Sequence, residues 1–256
     1  MIPPAAAADR SLVVIPARYG STRFPGKALA DLGGRPLIVR VVENAARIPE
    51  ADEIVVATDD ARIFAAVAEA GYRAVMTGPH ATGTERVAEV ARSIEAGIVV
   101  NLQGDEPLLD PGAAGGLIRR LREDPGLEVA TCAHPFPGER LWSDPNAVKV
   151  LVDRQGVALY FSRAPIPGTF PGRDTPAHRA ALRHVGIYAF RREALLRFPG
   201  LEPGALERQE GLEQLRIMEH GGRIGVTVIG GAPVGVDTPE DLEEVRRIWL
   251  GGAGRP

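Results

Sequence analysis

The first apolar segment, Leu12 to Ile15, is continuous rather than alternating, the pattern of a strand buried on both faces of a parallel sheet. A polar, glycine-containing loop follows. From Pro36 the apolar positions Leu37, Ile38, Val41, Val42 and Ala45 recur at helical spacing, with proline tolerated at the helix start. The same order returns downstream. Glu53 to Thr58 reads as a strand, Ala61 to Ala70 as a helix that Gly71 ends, and Ala74 to Met76 as a short strand. Thr84 to Ala96 then reads as a helix and Ile98 to Leu102 as another apolar strand. Such alternation predicts an α/β fold with a mostly parallel central sheet and helices on both faces. Ligands of such folds bind beyond the carboxyl ends of the strands.

From Val129 to Tyr188 the pattern changes. Ala147 to Val152, a turn at Asp153 to Gly156, and Ala158 to Phe161 read as a hairpin, so residues 129–190 are expected to form an antiparallel extension of the sheet. Gly168 to Pro176 reads as a loop. Leu206 to His220 reads as one helix closed by Gly221 and Gly222, and Ile224 to Ile229 as a strand. The last helix should begin after Asp237, where Thr238, Pro239 and Asp241 supply an N-cap, a first-turn proline and a capping-box acid. The expected organisation is a loose tail over residues 1–11 and a single domain over 12–250.

Composition adds boundaries. A chain of 256 residues suits one large α/β domain, and a net charge of -3 without a basic block gives no nucleic-acid surface. The single cysteine, Cys132, excludes an intramolecular disulfide and suits a reducing compartment. The opening MIPPAAAADR lacks the basic and apolar regions of a secretory signal, and no stretch offers the roughly 18 uncharged apolar residues of a spanning helix. A cytoplasmic location is therefore expected.

Three segments carry candidate chemistry. VVIPARYGSTRFPGK puts Arg18, Arg23 and Lys27 on one loop after a buried strand, where amides and cations can surround phosphates. It is not a P-loop, since Ala28 follows Lys27, and it lacks the GxGxxG of a dinucleotide fold; by composition alone it suits a solvated basic loop equally. NLQGDEP sets Asp105 just past a buried strand, where a carboxylate can reach a ligand or Mg²⁺ or simply make a turn, with Gln103 able to bond a hydroxyl or base. GVDTPEDL offers Asp237 as a helix cap. Since Thr238 can cap unaided, Asp237 is free to be a second hard oxygen ligand for Mg²⁺.

Taken in order, PARYGSTRFPGK, ATDD, TGTERVAEV, NLQGDEP, DPNAVKV, ALYFSRAPIP, RHVGIYAFR, LEQLR and GVDTPEDL resemble the sugar-nucleotide cytidylyltransferases from about Leu12 to Leu250. The likeness is nearest to members acting on 3-deoxy-manno-octulosonate (Kdo). It implies a nucleotide-diphospho-sugar transferase-like fold, a homodimer formed through the antiparallel region, and Mg²⁺-dependent transfer from CTP to Kdo. The products would be pyrophosphate and a CMP-sugar for lipopolysaccharide synthesis.

By the same resemblance, Arg18, Lys27, Asp105 and Asp237 are the expected catalytic set, with Asp105 and Asp237 holding the metal. Ala17, Arg18, Lys27, Thr84, Arg86 and Gln103 are expected around the nucleotide. Gln103, Arg163, His184, Tyr188, Glu213 and Gln214 are expected around the sugar, whose carboxylate suits an arginine fork and whose hydroxyls suit Tyr, Glu and Gln. One departure touches the acceptor side: relatives carry an arginine a few residues beyond FSRAPIP, whereas this chain reads Gly168 to Gly172 and then Arg173. Rival readings are the same chemistry on 8-amino-Kdo or another acid sugar such as a sialic acid, and an inactive nucleotide-binding regulator. A hydride-transferring enzyme is disfavoured by the absent GxGxxG.

Overall fold

The computed structural model describes residues 9–172, 176–231 and 233–253. In chain order the elements are β1 (Ser11–Ala17), α1 (Leu37–Ala45), β2 (Glu53–Thr58), α2 (Ala61–Glu69), β3 (Ala74–Met76), α3 (Gly83–Ser93), β4 (Ile98–Asn101), α4 (Pro111–Glu123) and β5 (Val129–Pro135). They continue with α5 (Glu139–Trp142), β6 (Lys149–Val152), β7 (Ala158–Ser162), β8 (Leu182–Arg191), α6 (Arg192–Arg197), α7 (Ala205–Glu210), α8 (Gln214–Glu219), β9 (Ile224–Val228) and α9 (Pro239–Ile248).

The sheet runs β3-β2-β1-β4-β8-β5-β9 and is parallel throughout except around β8. Strand β1 lies inside it, between β2 and β4, and its continuous apolar run buries alternate residues on opposite faces. Val13 and Ile15 pack with α1, α2 and α4, whereas Leu12 and Val14 pack with α3, α6 and α8. The expected α/β layering with helices on both faces is what the chain forms.

One expectation is refined and one corrected. The antiparallel pairing centres on residues 129–190 as expected, and the structure adds its place in the sheet. Strand β8 is inserted between β4 and β5, β5 pairs parallel with β9, and only the β6–β7 hairpin hangs off the main path. Alternation in β8 buries Val185, Ile187 and Ala189 against one helical layer, so its place in the core came from long-range packing that a local hairpin signal does not carry. The segment Leu206–His220 is two short helices rather than one, because Gly211 takes a left-handed φ of 62° and ends α7. Helices α4 and α6 carry no expectation above; α4 starts from Asp110, whose side chain accepts from the Gly112 N–H, with Pro111 at its first turn.

The last helix follows the expected signature. Thr238 Oγ1 accepts from the Asp241 N–H and the Asp241 carboxylate accepts from the Thr238 N–H, a reciprocal capping box. Leu242, Val245 and Trp249 then bury against Leu32 and Leu37, docking the end of the chain beside the loop that follows β1.

Strand β8 also carries His184 between the rings of Phe161 and Tyr188, with centroids 5.1 and 5.4 Å away. Its Nε2 lies 3.0 Å from the Thr131 hydroxyl, whose own proton is taken by the Ile187 carbonyl at 2.7 Å. Burial pushes the imidazole down to about 3. An unfolded histidine protonates near 6.5, so acidification from 6.5 towards 3 charges His184 in the unfolded chain first and draws stability from the fold. Burial, with help from Asp105 and Asp237, pushes the Glu106 carboxyl the other way, to about 7. That contribution is present below the ordinary value of 4.5 and is lost as pH rises through 7.

Two outcomes follow from this packing. His184→Phe, compared with wild type by urea unfolding at pH 7.5 and 4.5, should lose less stability on acidification; equal losses would show that His184 is not the acid-sensitive group. Thr238→Ala should cost about 1 kcal/mol, read as a lower urea midpoint, because one cap of α9 is removed.

Candidate active site

Parallel pairing brings the carboxyl ends of β1 and β4 to one edge of the sheet, and β8, running the other way, brings residues 184–188 to the same edge. The approach is close at Gly104, where a Cβ would stand 2.8 Å from the Pro16 carbonyl oxygen. Only glycine lets the NLQGDEP segment lie against the end of β1.

The loop after β1 is closed on itself. Tyr19 O accepts from the N–H groups of Ser21 and Gly26 at 3.0 and 2.9 Å, and Gly26 takes a φ of 74° beneath the Tyr19 ring. The Arg62 guanidinium stacks 3.4 Å from that ring centroid, pinning the loop to the start of α2. The turn leaves Arg18 exposed and directs Lys27 inward.

Lys27 is where the separate motifs meet. Its Nζ donates to Asp105 Oδ2 at 2.5 Å, to the Val236 carbonyl at 2.9 Å and to Asp237 Oδ1 at 3.2 Å. The main chain closes the same junction, since the Val236 N–H donates to the Asp105 carbonyl at 2.8 Å. Arg23 Nη2 lies 2.9 Å from the other Asp237 oxygen. The pair Asp105 and Asp237, 132 positions apart in the chain, is thus assembled on one cation.

The junction is electronegative. Glu106 Oε2 is buried without a hydrogen-bond partner, and burial, then the charges of Asp105 and Asp237, push its carboxyl up to about 7. Two adjacent hard carboxylates in such a field fit Mg²⁺. Among the described residues no group of three or more His, Cys, Asp or Glu is arranged to hold a metal.

These residues open on a cavity of about 380 Å³ whose wall includes Ala17, Arg18, Lys27, Arg86, Gln103, Asp105 and Asp237. Arg86 is buried, with Nη2 2.7 Å from Asp59 Oδ2 and Nη1 against the Thr77 hydroxyl. Its guanidinium is largely committed to fixing α3 against the end of β2. Residues passed over in the sequence reading also face this cavity: Ser21, Thr22, His80 and Thr82. His80 is held by Glu89, and Thr82 is the cap of α3, accepting from the Glu85 N–H. Nothing in their spacing marks them; the helix was read from Thr84, two residues past the cap at Thr82.

A second cavity of about 250 Å³ adjoins the first, sharing Gly83, Gln103 and Glu213. Tyr188, Glu213 and Gln214 line it, as does Thr84, which therefore stands on this side rather than on the nucleotide wall where it was expected. The Thr84 hydroxyl donates to Glu213 Oε2 at 3.1 Å, and burial raises the carboxyl of Glu213 and the phenol of Tyr188. Asn101, which opens the NLQGDEP segment but was given no role there, lies on the same wall.

Two expected sugar residues are not brought to either wall. His184 sits behind Tyr188 as described above. Arg163, at the end of the β6–β7 hairpin, turns its guanidinium to the carbonyls of Glu210 at 2.7 Å, Pro145 at 3.2 Å and Gly211 at 3.5 Å. The carbonyls left open at the end of α7 take the guanidinium donors. Arg173 lies outside the described residues.

The chain is similar to known proteins. The cytidylyltransferase family model matches residues 12–224. The 3-deoxy-manno-octulosonate cytidylyltransferase of Anaeromyxobacter dehalogenans is 52% identical over 94% of this chain and 98% of its own, and that of Syntrophotalea carbinolica is 47% identical over 91% and 95%. Among solved structures, a CMP:2-keto-3-deoxy-manno-octonic acid synthetase complexed with CTP superposes with a TM-score of 0.89 at 42% identity, over 94% of this chain and 99% of that one. A 4-diphosphocytidyl-2C-methyl-D-erythritol synthase from Anaerococcus prevotii, 13% identical with a TM-score of 0.64 over 95% of this chain and 97% of that one, shares the fold. A chain whose three distant motifs converge on one lysine, and whose whole length follows these relatives, belongs to the cytidylyltransferase family of nucleotidyltransferases.

Proposed function

We propose that this protein transfers the cytidylyl group of CTP to Kdo, releasing pyrophosphate and giving CMP-Kdo, the activated sugar for lipopolysaccharide synthesis. The observation that carries it is the convergence of Lys27, Asp105 and Asp237 where a cavity of about 380 Å³ meets a second one lined by hydroxyl-bonding side chains. The relatives' names and the CTP held by the structural neighbour support the choice of substrates.

The sugar's anomeric hydroxyl attacks the α-phosphorus in line and pyrophosphate leaves, with no covalent enzyme intermediate. Arg18 and Lys27 offset the charge of the α-phosphate and the leaving pyrophosphate, and Ala17 meets the base through its backbone. Gln103 lines both cavities, and in this reading it contacts nucleotide and sugar alike. Tyr188, Glu213 and Gln214 bind acceptor hydroxyls. Asp105 and Asp237 would hold Mg²⁺, which when bound supplies further charge neutralisation at the phosphates. The reading includes a homodimer; Leu159 on the off-path hairpin and Phe170 beyond it, 59% and 75% exposed, give that region apolar surface for a second copy. It includes a cytoplasmic site of action, and no described helix is long and apolar enough to cross a membrane.

Pyrophosphate release with CTP, UTP and ATP against Kdo, 8-amino-Kdo and a sialic acid, with and without Mg²⁺, tests the whole reading. Metal-dependent release with CTP and Kdo is the expected result, and faster turnover of another acid sugar would reassign the acceptor. Asp105→Asn should lower kcat about 10³-fold, equivalent to several kcal/mol of lost charge stabilisation, while leaving the melting curve near that of wild type. Wild-type turnover in that variant would remove Asp105 from the metal site.

A further inference from the structure

Strand period places Asn101 on the face of β4 that carries Val99, which packs with Phe190 and Leu195. A position of this kind ordinarily takes an apolar side chain. Asn101 is only 2% exposed and its Oδ1 has no hydrogen-bond partner. It lies opposite Tyr188 in the β4–β8 register and on the wall of the second cavity. The cavity has a second such group: Gln214, at the start of α8 and 5% exposed, has an Nε2 with no partner. One is an acceptor and the other a donor, yet they do not meet each other. Folded proteins leave few buried polar atoms unpaired, so two on the wall of one cavity call for a partner that enters it.

The chemistry of this wall selects the part of the acceptor that enters. Among the described residues lining the cavity there is no lysine or arginine, whereas Glu213 contributes a carboxyl. A carboxylate would be repelled there; a hydroxyl would not, because it can donate to Asn101 Oδ1 and accept from Gln214 Nε2. The match survives exchange of the amide oxygen and nitrogen, since a hydroxyl serves either orientation.

Building on the assignment of this cavity to the acceptor, we infer that Asn101 is a specificity-determining residue that reads one hydroxyl of the sugar. The polyol part of the acid sugar lies in the second cavity, and its carboxylate stays on the side of Arg18 and Lys27.

The test is steady-state kinetics of Asn101→Leu and Asn101→Ser on Kdo and on a set of singly deoxygenated Kdo analogues. In Asn101→Leu the KM for Kdo should rise about 10–100-fold, while the KM for CTP stays within about twofold, since the lost bond is to the sugar alone. One deoxy analogue should be a poor substrate of the wild type and be handled about equally by wild type and Asn101→Leu. Asn101→Ser, which keeps a hydrogen-bonding group, should fall between the two. Calorimetric titration of each variant with CTP shows that the nucleotide site is still formed. Wild-type KM for Kdo in Asn101→Leu, or a deoxy penalty that persists at every position, would overturn the inference while leaving the proposed reaction intact. A wild type that binds CTP but releases no pyrophosphate with Kdo or any analogue would overturn both.

Discussion

One ammonium group holds the candidate site together. Lys27 Nζ distributes its three protons over Asp105, Asp237 and the carbonyl of Val236, joining the first loop, the middle of the chain and its end. Nothing local requires these segments to meet. They meet because β1 and β4 are parallel neighbours whose carboxyl ends share an edge, and because α9 docks through Leu242, Val245 and Trp249 onto Leu32 and Leu37. The positive charge offsets the repulsion between two carboxylates that the backbone has already forced together, and Glu106 behind them is raised first by its burial and then by their charges.

The two cavities divide the chemistry by charge. The larger has arginines and a lysine beside Asp105 and Asp237 on its wall; the smaller has amides and a phenol and, among its described residues, no lysine or arginine. The division has a structural origin. The wall of the larger cavity is made largely by loops after parallel strands, where strand ends and helix N-termini favour anions. The other wall is made by β8, which runs against its neighbours and offers side chains from mid-strand, and by the short helix α8.

Much of the fold was legible because it rests on local periodicity. The limits of β2 and β3, the limits of α1, and the Thr238–Asp241 capping box are written in residues adjacent in the chain. The position of β8 was not, because a buried strand between β4 and β5 carries the same alternation as an edge strand. The break at Gly211 was not either, since glycine within a helical pattern is tolerated as often as it terminates one.

For the site, residue types at strand ends marked the loop with Arg18 and Lys27 and the carboxylates Asp105 and Asp237 as candidates, whereas Tyr188, Glu213 and Gln214 were named only through the resemblance to the cytidylyltransferases. Tertiary structure alone decided which of them meet. It joined Asp105 to Asp237 through Lys27, moved Thr84 to the second cavity, and set Arg163 against the end of α7 and His184 behind Tyr188. It also disclosed Asn101, whose amide is unremarkable in the sequence and significant only because a strand pairing buries it beside a cavity without a partner. Spacing along a chain fixes the face a side chain occupies within its own element, whereas contact between elements depends on how sheets order their strands and how helices pack, which long-range burial settles.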